Sequence, residues 1–264
     1  MIVIGERING TRRHVKAAIA ERDLAHIQQE AKAQAEAGSH YIDVNAGTTP
    51  DRESEDLVWL VKSVQEAVDL PCAIDTPNPV AMEAALKVHK GQPLVNSITA
   101  EKERIESILP LVVKYKARVI ALSMDDAGMP STCEQRCAIA AALAKEVTSK
   151  GIPITDIFVD PLIRPVSSEP EQVAAVLDAT AAIKAAHPGI NISYGLSNVS
   201  FGLPNRHLLN RTFLAMAMAR GLDAALIDPL DKNMMGILIA GRALLGQDEY
   251  CMDYITAHRE GKLG

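Results

Sequence analysis

Apolar residues along this chain alternate between two patterns. Short runs rich in Val, Ile and Leu recur about every 25–35 residues, the length of a strand plus a crossover helix. Between them lie longer stretches with apolar positions three and four apart, as on one face of a helix. The short runs predict strands at Ile2–Gly5, Tyr41–Val44, Cys72–Ile74, Leu94–Val95, Val119–Leu122, Ile157–Val159, Ile192–Leu196 and Ala224–Ile227. The longer stretches predict helices over Arg13–Ala37, Glu53–Val68, Pro79–Lys87, Glu101–Tyr115, Thr132–Lys150, Glu169–Ala186, Arg206–Arg220 and Lys232–Leu245. Gly38, Gly151, Gly189 and Gly221 stand where helices must stop before the next strand. The segments "TAEKE" and "SSEPE" open helices with a hydroxyl and early carboxylates.

Eight strand–helix units with right-handed crossovers predict an α/β fold, a single (β/α)8 TIM barrel spanning residues 1–264 as one domain. The segment after Gly246, "QDEYCMDYITAHREGKLG", reads as a short C-terminal extension with a helix of its own. An open doubly wound sheet is the alternative. That fold usually carries a phosphate fingerprint after its first strand, whereas "GERING" contains neither GxGxxG nor GxxxxGK[ST].

Composition narrows the function classes. The 264 residues are 48% hydrophobic but only 3% aromatic, so the core must be built from Ala, Val, Leu, Ile and Met. A net charge of −6 without a basic run argues against nucleic-acid binding. No apolar run approaches the roughly 18–20 residues that span a bilayer, and no signal-peptide pattern opens the chain. The four cysteines are too sparse for a disulfide scaffold. These features predict a cytoplasmic globular protein.

The candidate chemistry lies at the ends of the predicted strands, where barrels of this kind carry their active sites. Glu6 and Asn9 follow the first strand, Asp43 and Asn45 lie at the second, and Asp75 closes the third. Asn96 and Ser97 close the fourth, Ser123 and Asp125 follow the fifth, and Asp160 closes the sixth. Ser197 and Asn198 end the seventh, and Asp228 ends the eighth. Any one of these is commonly a helix cap or a turn former. Together they make an acid- and amide-rich rim with little Lys or Arg, suited to a ligand rich in N–H donors and ring nitrogens rather than to a phosphate.

Cys133 and Cys137 share a helix face without further ligand types nearby in sequence, and read as core thiols. The seven histidines are scattered, none beside a nucleophile, and no metal site is expected. Trp59, Met216 and Met218 read as packing residues.

The ordered set "GERING", "YIDVNAG", "AIDTPNP", "VNSIT", "FVDPL" and "GLSNVS" resembles the pterin-binding family over nearly the whole chain. That family includes dihydropteroate synthase, the folate module of cobalamin-dependent methionine synthase, and methyltetrahydrofolate:corrinoid protein methyltransferases. "GERIN", "GLSNVS" and "NRTFLAMAMARGLDAA" are most similar to the methyltransferase branch. Dihydropteroate synthases typically have a lysine after the seventh strand, where this chain has Asn198.

The resemblance implies that Asp75, Asn96 and Asp160 anchor a pterin, that Asn198, next to Ser197, faces its N5, and that Arg206 lies near the outer part of a folate. Glu6, Asn9, Asp43 and Asn45 join this site as further rim residues. It implies an enzyme moving a methyl group between tetrahydrofolate and the cobalt of cobalamin, with Asn198 as the catalytic side chain and 5-methyltetrahydrofolate as the methylated form. A condensing enzyme like dihydropteroate synthase, or a folate-binding subunit without catalysis, are the alternatives. No DxHxxG segment is present, so the corrinoid is expected on a partner corrinoid protein. The branch is typically homodimeric, and the Ala/Met-rich helix at Leu208–Arg220 is a candidate contact.

Overall fold

The computed structural model describes residues 1–263. Eight parallel strands close into a barrel in sequence order: β1 (Ile2–Asn9), β2 (Tyr41–Asn45), β3 (Cys72–Asp75), β4 (Leu94–Thr99), β5 (Arg118–Leu122), β6 (Ile157–Asp160), β7 (Asn191–Gly195) and β8 (Ala224–Ile227). β1 closes the ring on β8, with Ile2 opposite Ala224 and Gly5 opposite Ile227. The expected barrel is therefore the observed one.

Among the described residues ten helices surround it: α1 (Arg13–Glu21), α2 (Leu24–Glu36), α3 (Pro50–Ala67), α4 (Pro79–Val88), α5 (Lys102–Lys114), α6 (Cys133–Ser149), α7 (Gln172–Ala186), α8 (Arg206–Ala219), α9 (Lys232–Leu244) and α10 (Met252–Arg259). The C-terminal extension holds α10, as expected. Among the described residues no helix is long and apolar enough to cross a membrane.

The predicted helix over Arg13–Ala37 is two helices. Arg22 takes a left-handed conformation (φ 55°), and the Asp23 carboxylate accepts a hydrogen bond from His26 N–H, capping a new helix. No Gly or Pro announces this break. The helix predicted from Glu53 starts earlier, at Pro50, whose missing N–H costs nothing at a helix start. The predicted end of the seventh strand also moves: the strand stops at Gly195, and Leu196–Ser200 form a 3-10 turn.

The core has two parts because strands alternate their side chains. Ile4, Tyr41, Ala73, Leu94, Ile120, Phe158 and Ala224 fill the barrel interior. The opposite faces, with Ile42, Ile74, Val95, Val119 and Val159 among them, pack against the helices. Both faces are dry, so the strands read as near-continuous apolar runs. The large Phe158 and Tyr41 are accommodated by the small Ala73 and Ala224.

This alternation positions the rim. Two residues beyond an interior apolar side chain, the next interior position is polar in six strands: Ile4 leads to Glu6, Tyr41 to Asp43, Ala73 to Asp75, Leu94 to Asn96, Phe158 to Asp160 and Leu226 to Asp228. Irregularities in pairing fall between Gly5 and Ile8 in β1, and between Asn96 and Ile98 in β4. Such bulges commonly re-aim side chains next to a site.

Gly10 brings the β1 and β2 ends together. Its N–H donates to Asn45 O at 2.8 Å. A Cβ on Gly10 would lie 1.9 Å from Ala46 O, a backbone atom that cannot turn aside. Gly10→Ala is therefore expected to destabilise the fold by about 2–3 kcal/mol through overpacking, read as a lowered urea midpoint. A midpoint within error of the parent would show that the two loops are free to separate.

Candidate active site

The polar interior residues make a hydrogen-bonded layer above the apolar core. Asn45 donates its amide to Asp75 Oδ2 at 2.9 Å, linking β2 to β3. Asn96 donates to Asp43 Oδ1 at 3.0 Å, linking β4 to β2 across β3. Asp160 accepts backbone N–H groups from Leu162 at 2.8 Å and from Gly195 at 3.2 Å, one on each oxygen.

These contacts partly offset the cost of burial. Burial pushes the Asp43 carboxyl well up, and the nearby Asp75 charge adds to this against the Asn96 hydrogen bond. Burial also raises Asp75, opposed by the bond from Asn45 and aided by the charge of Glu53. Asp160 is pushed up to about 6 by burial, opposed by the Leu162 and Gly195 N–H groups. Glu6 is likewise raised to about 6 by burial, with Arg12 pulling it down and Asp228 pushing it up. Burial thus raises all four carboxyl groups of the mouth, Glu6 and Asp160 to about 6, as at many functional sites.

Beside this layer lies a cavity of about 390 Å³, at the ends of β1, β7 and β8. Glu6, Ser197, Arg206, Asn210 and Asp228 line it. Arg206 clamps the turn after β7, donating to Ser197 O at 2.7 Å and to Ser200 Oγ at 3.0 Å. Its guanidinium lies 5.9 Å from the centre of the exposed Phe201 ring. Asn198 is exposed at the same turn. Its Nδ2 lies 3.0 Å from where a Cβ on Gly195 would be, so the side chain folds back over Gly195. A larger groove, about 890 Å³, runs between α5 and α6 on the flank, lined by Ile105, Leu109, Val113 and Leu143. It contains none of the rim residues nominated as the site, and the charged residues that border it, Lys102, Glu106, Lys114, Glu146 and Lys150, lie on the outer helices α5 and α6 or, for Lys150, at the end of α6.

The structure therefore brings together Asp43 with Asn96, Asn45 with Asp75, and Glu6 with Ser197 and Arg206. Asn9 stands apart. Its side-chain oxygen accepts from the N–H and hydroxyl of Thr11, at 3.0 and 2.7 Å, and so forms the turn after β1.

Sequence reasoning missed Glu53, Arg12 and Asn210. Glu53 in α3 accepts from Thr76 Oγ1 at 2.5 Å and from Asn78 Nδ2 at 3.0 Å, fixing the loop after Asp75. Arg12 lies 3.5 Å from Glu6. Asn210 Oδ1 is buried without a hydrogen-bond partner among the described residues. Early-helix acids and a helical Asn look like caps or surface residues in sequence, so no signal singled these out. The α8 apolar stripe is mostly core: Phe213, Leu214, Ala217 and Met218 are buried, while Leu208 and Met216 are exposed.

Known proteins resemble this chain in sequence and in fold. The family described as "Pterin binding enzyme" matches residues 5–228. A protein of Eubacterium limosum named methylcorrinoid:tetrahydrofolate methyltransferase is 40% identical over 266 aligned positions, covering 100% of this chain and 98% of that one. Methionine synthase of Mycobacterium tuberculosis is 29% identical over 86% of this chain, a match to 20% of its length. Among solved structures, dihydropteroate synthase of Xanthomonas albilineans with 4-aminobenzoic acid superposes with a TM-score of 0.70 at 15% identity, covering 92% of this chain and 93% of that one. Dihydropteroate synthase of Thermus thermophilus superposes with a TM-score of 0.66 at 19% identity, covering 90% and 93%. At such identities the likeness is one of fold.

The buried Asp160 has a consequence for stability. Its carboxyl ionises near the ordinary value of 3.8 in the unfolded chain and at about 6 in the folded one. The folded state holds more protons between those values. The stability tied to this group is fully present below the unfolded value and is lost as pH rises through about 6. Asp160→Asn is expected to flatten the fall in Tm between about pH 4 and pH 6, where the protonation difference acts. An unchanged slope in thermal scans would mean that the group does not titrate there.

Proposed function

The chain belongs to the pterin-binding enzyme family, and from that premise we propose that it is a methyltransferase. It moves a methyl group between N5 of tetrahydrofolate and the cobalt of a corrinoid carried by a separate protein. The end-to-end likeness to a methylcorrinoid:tetrahydrofolate methyltransferase carries this reading. The mouth chemistry fits the folate half. A pterin presents an exocyclic amine and ring N–H groups, and Asp75, Asn96 and Asp160 are carboxylates and an amide that complement them. Asp75 and Asp160 retain lone pairs after their internal bonds. Ser197 and Arg206 border the cavity where the outer part of a folate would pass.

Asn198 faces N5 in this reading. In one direction N5 attacks the methyl carbon, the N–C bond forms, and the electron pair of the Co–C bond stays with the corrinoid. The proton displaced from N5 passes to solvent. In reverse, N5 must gain a proton or a strong hydrogen bond before its methyl leaves, because a neutral amine gives up the methyl as a poor anion. Asn198 cannot supply a proton, but its amide is a polar group set in place before the reaction. Gly195 leaves it room.

The corrinoid is a substrate delivered by a partner protein docking over the mouth. A docked complex holds methyl, cobalt and N5 in line and turns two encounters into one. We place the enzyme in the cytoplasm, as one pterin-binding domain working as a homodimer, for which Leu208 and Met216 on α8 offer exposed apolar contact surface.

Mixing the protein with 5-methyltetrahydrofolate and reduced cobalamin, or with tetrahydrofolate and methylcobalamin, should give a change in the corrinoid spectrum. A candidate corrinoid protein should react with much higher kcat/KM than free cobalamin. Failure of every corrinoid in both directions would refute the methyltransferase reading. Folate affinity without transfer would leave a binding subunit, and product from a pterin pyrophosphate and 4-aminobenzoate would leave a condensing enzyme.

Asp75→Ala is expected to weaken folate binding by about 1.5–3 kcal/mol, the scale of a lost charged hydrogen bond. Calorimetric titration with 5-methyltetrahydrofolate measures it, and unchanged affinity would remove Asp75 from the ligand. Asn198→Ala is expected to slow single-turnover transfer more than it weakens binding of tetrahydrofolate, since only a contact that strengthens as charge develops speeds the step. Equal losses would make Asn198 a plain anchor.

A further inference from the structure

Outside the mouth, the fold gathers a second set of chemically capable side chains. His14 on α1 and His26 and Glu30 on α2 each offer one ligand atom, and these atoms lie within 4.8 Å of one another. His26 and Glu30 share a helix face at a spacing of four. The break at Arg22 and Asp23 lets α1 return beside α2, with the His14 and His26 rings edge to face at 5.6 Å. Nε2 of His26 is shielded from solvent and has no hydrogen-bond partner among the described residues. Glu30 accepts from Arg7 on both oxygens, at 2.7 and 3.1 Å.

We propose that His14, His26 and Glu30 form a binding site for a divalent cation of the zinc type. Two imidazoles and one carboxylate are a donor set that suits zinc and its borderline neighbours, with a position left for water. Magnesium and calcium prefer all-oxygen sets. In a tetrahedral site with bonds of roughly 2.0–2.1 Å, ligand atoms lie about 3.3 Å apart. The present atoms are held within 4.8 Å of one another, and the exposed His14 side chain can rotate to close the set around an ion.

Arg7 is the competitor, because it holds Glu30 and its charge opposes a dication. It is not stranded when Glu30 turns to a metal, since its Nη1 also donates to Asp228 Oδ2 at 2.8 Å. The competition weakens the site and points to micromolar rather than tighter affinity. It also couples the flank to the mouth. Arg7 bridges Glu30 to Asp228 on the cavity wall, so an ion that draws Glu30 away alters the ion pairing of Asp228. None of this rests on the folate reading.

The test is calorimetric titration of the full chain with zinc chloride, with bound metal counted after dialysis. Nickel and magnesium serve as companion ions. The expected result is one zinc per chain in the parent, no magnesium, and at least tenfold weaker binding in H14A and H26A. His14 is exposed, so H14A should fold; circular dichroism checks both variants. C251S should bind like the parent. Absence of stoichiometric zinc, unchanged binding in a folded H14A, or loss of binding in C251S, which would place the ion on the exposed thiol, each overturns the proposal.

Discussion

The site depends on one geometric constraint, the two-residue period of side chains in strands that have closed into a ring. Once β1 pairs with β8, every strand must send alternate side chains into the same narrow interior. The lower interior positions bring together Ile4, Tyr41, Ala73, Leu94, Ile120, Phe158 and Ala224, and the ring is packed shut. The next interior positions upward, Glu6, Asp43, Asp75, Asn96 and Asp160, therefore converge without any loop having to carry them there. A one-residue slip in β2, β3 or β6 would turn Asp43, Asp75 or Asp160 toward the helix-facing core, so there folding and site assembly are the same requirement.

That convergence brings an electrostatic cost, and the chain answers it in pairs. Asp43 is pushed up by burial and by the Asp75 charge, Asp75 by burial and the Glu53 charge, and each has an amide bound to it, from Asn96 and Asn45 respectively. Asp160 uses backbone N–H groups instead. An amide donates to a carboxylate without adding charge, so the acidic character of the mouth survives. Neutralisation by Lys or Arg would have made a stable but inert plug of ion pairs. The guanidinium groups stand instead at the edge, with Arg12 near Glu6 and Arg206 on the turn after β7.

The barrel was legible in the sequence because its signal is repeated eight times, and an error of two residues at one end does not disturb the order. The polar strand ends were legible for the same reason. What the sequence hid was contact between distant residues. Nothing in "RHVKAAIAERDLAHIQQE" announces a break at Arg22, since neither Gly nor Pro stands there, and a helical reading ran straight through it. With that break missed, His14 and His26 looked scattered, although the fold sets their rings 5.6 Å apart. Glu53 was hidden differently: an acid in the first turn of a helix already has an adequate local explanation, and its bonds to Thr76 and Asn78 are non-local.

The turn after β7 shows why Ser-Asn follows the strand here. Continuing the strand past Gly195 would point Leu196 and Ser197 alternately outward and inward, and Asn198 would follow Leu196 away from the mouth. The 3-10 turn over Leu196–Ser200 changes that period. Leu196 and Val199 go to the core, and Asn198 is left free to fold back above Gly195. Arg206 then holds the turn through Ser197 O and Ser200 Oγ. The Asn198 amide is thereby left exposed and, among the described residues, without a partner in the fold and with no salt bridge beside it. In the proposed reaction such a turn suits Asn198, because none of the contacts that hold the turn engages its amide.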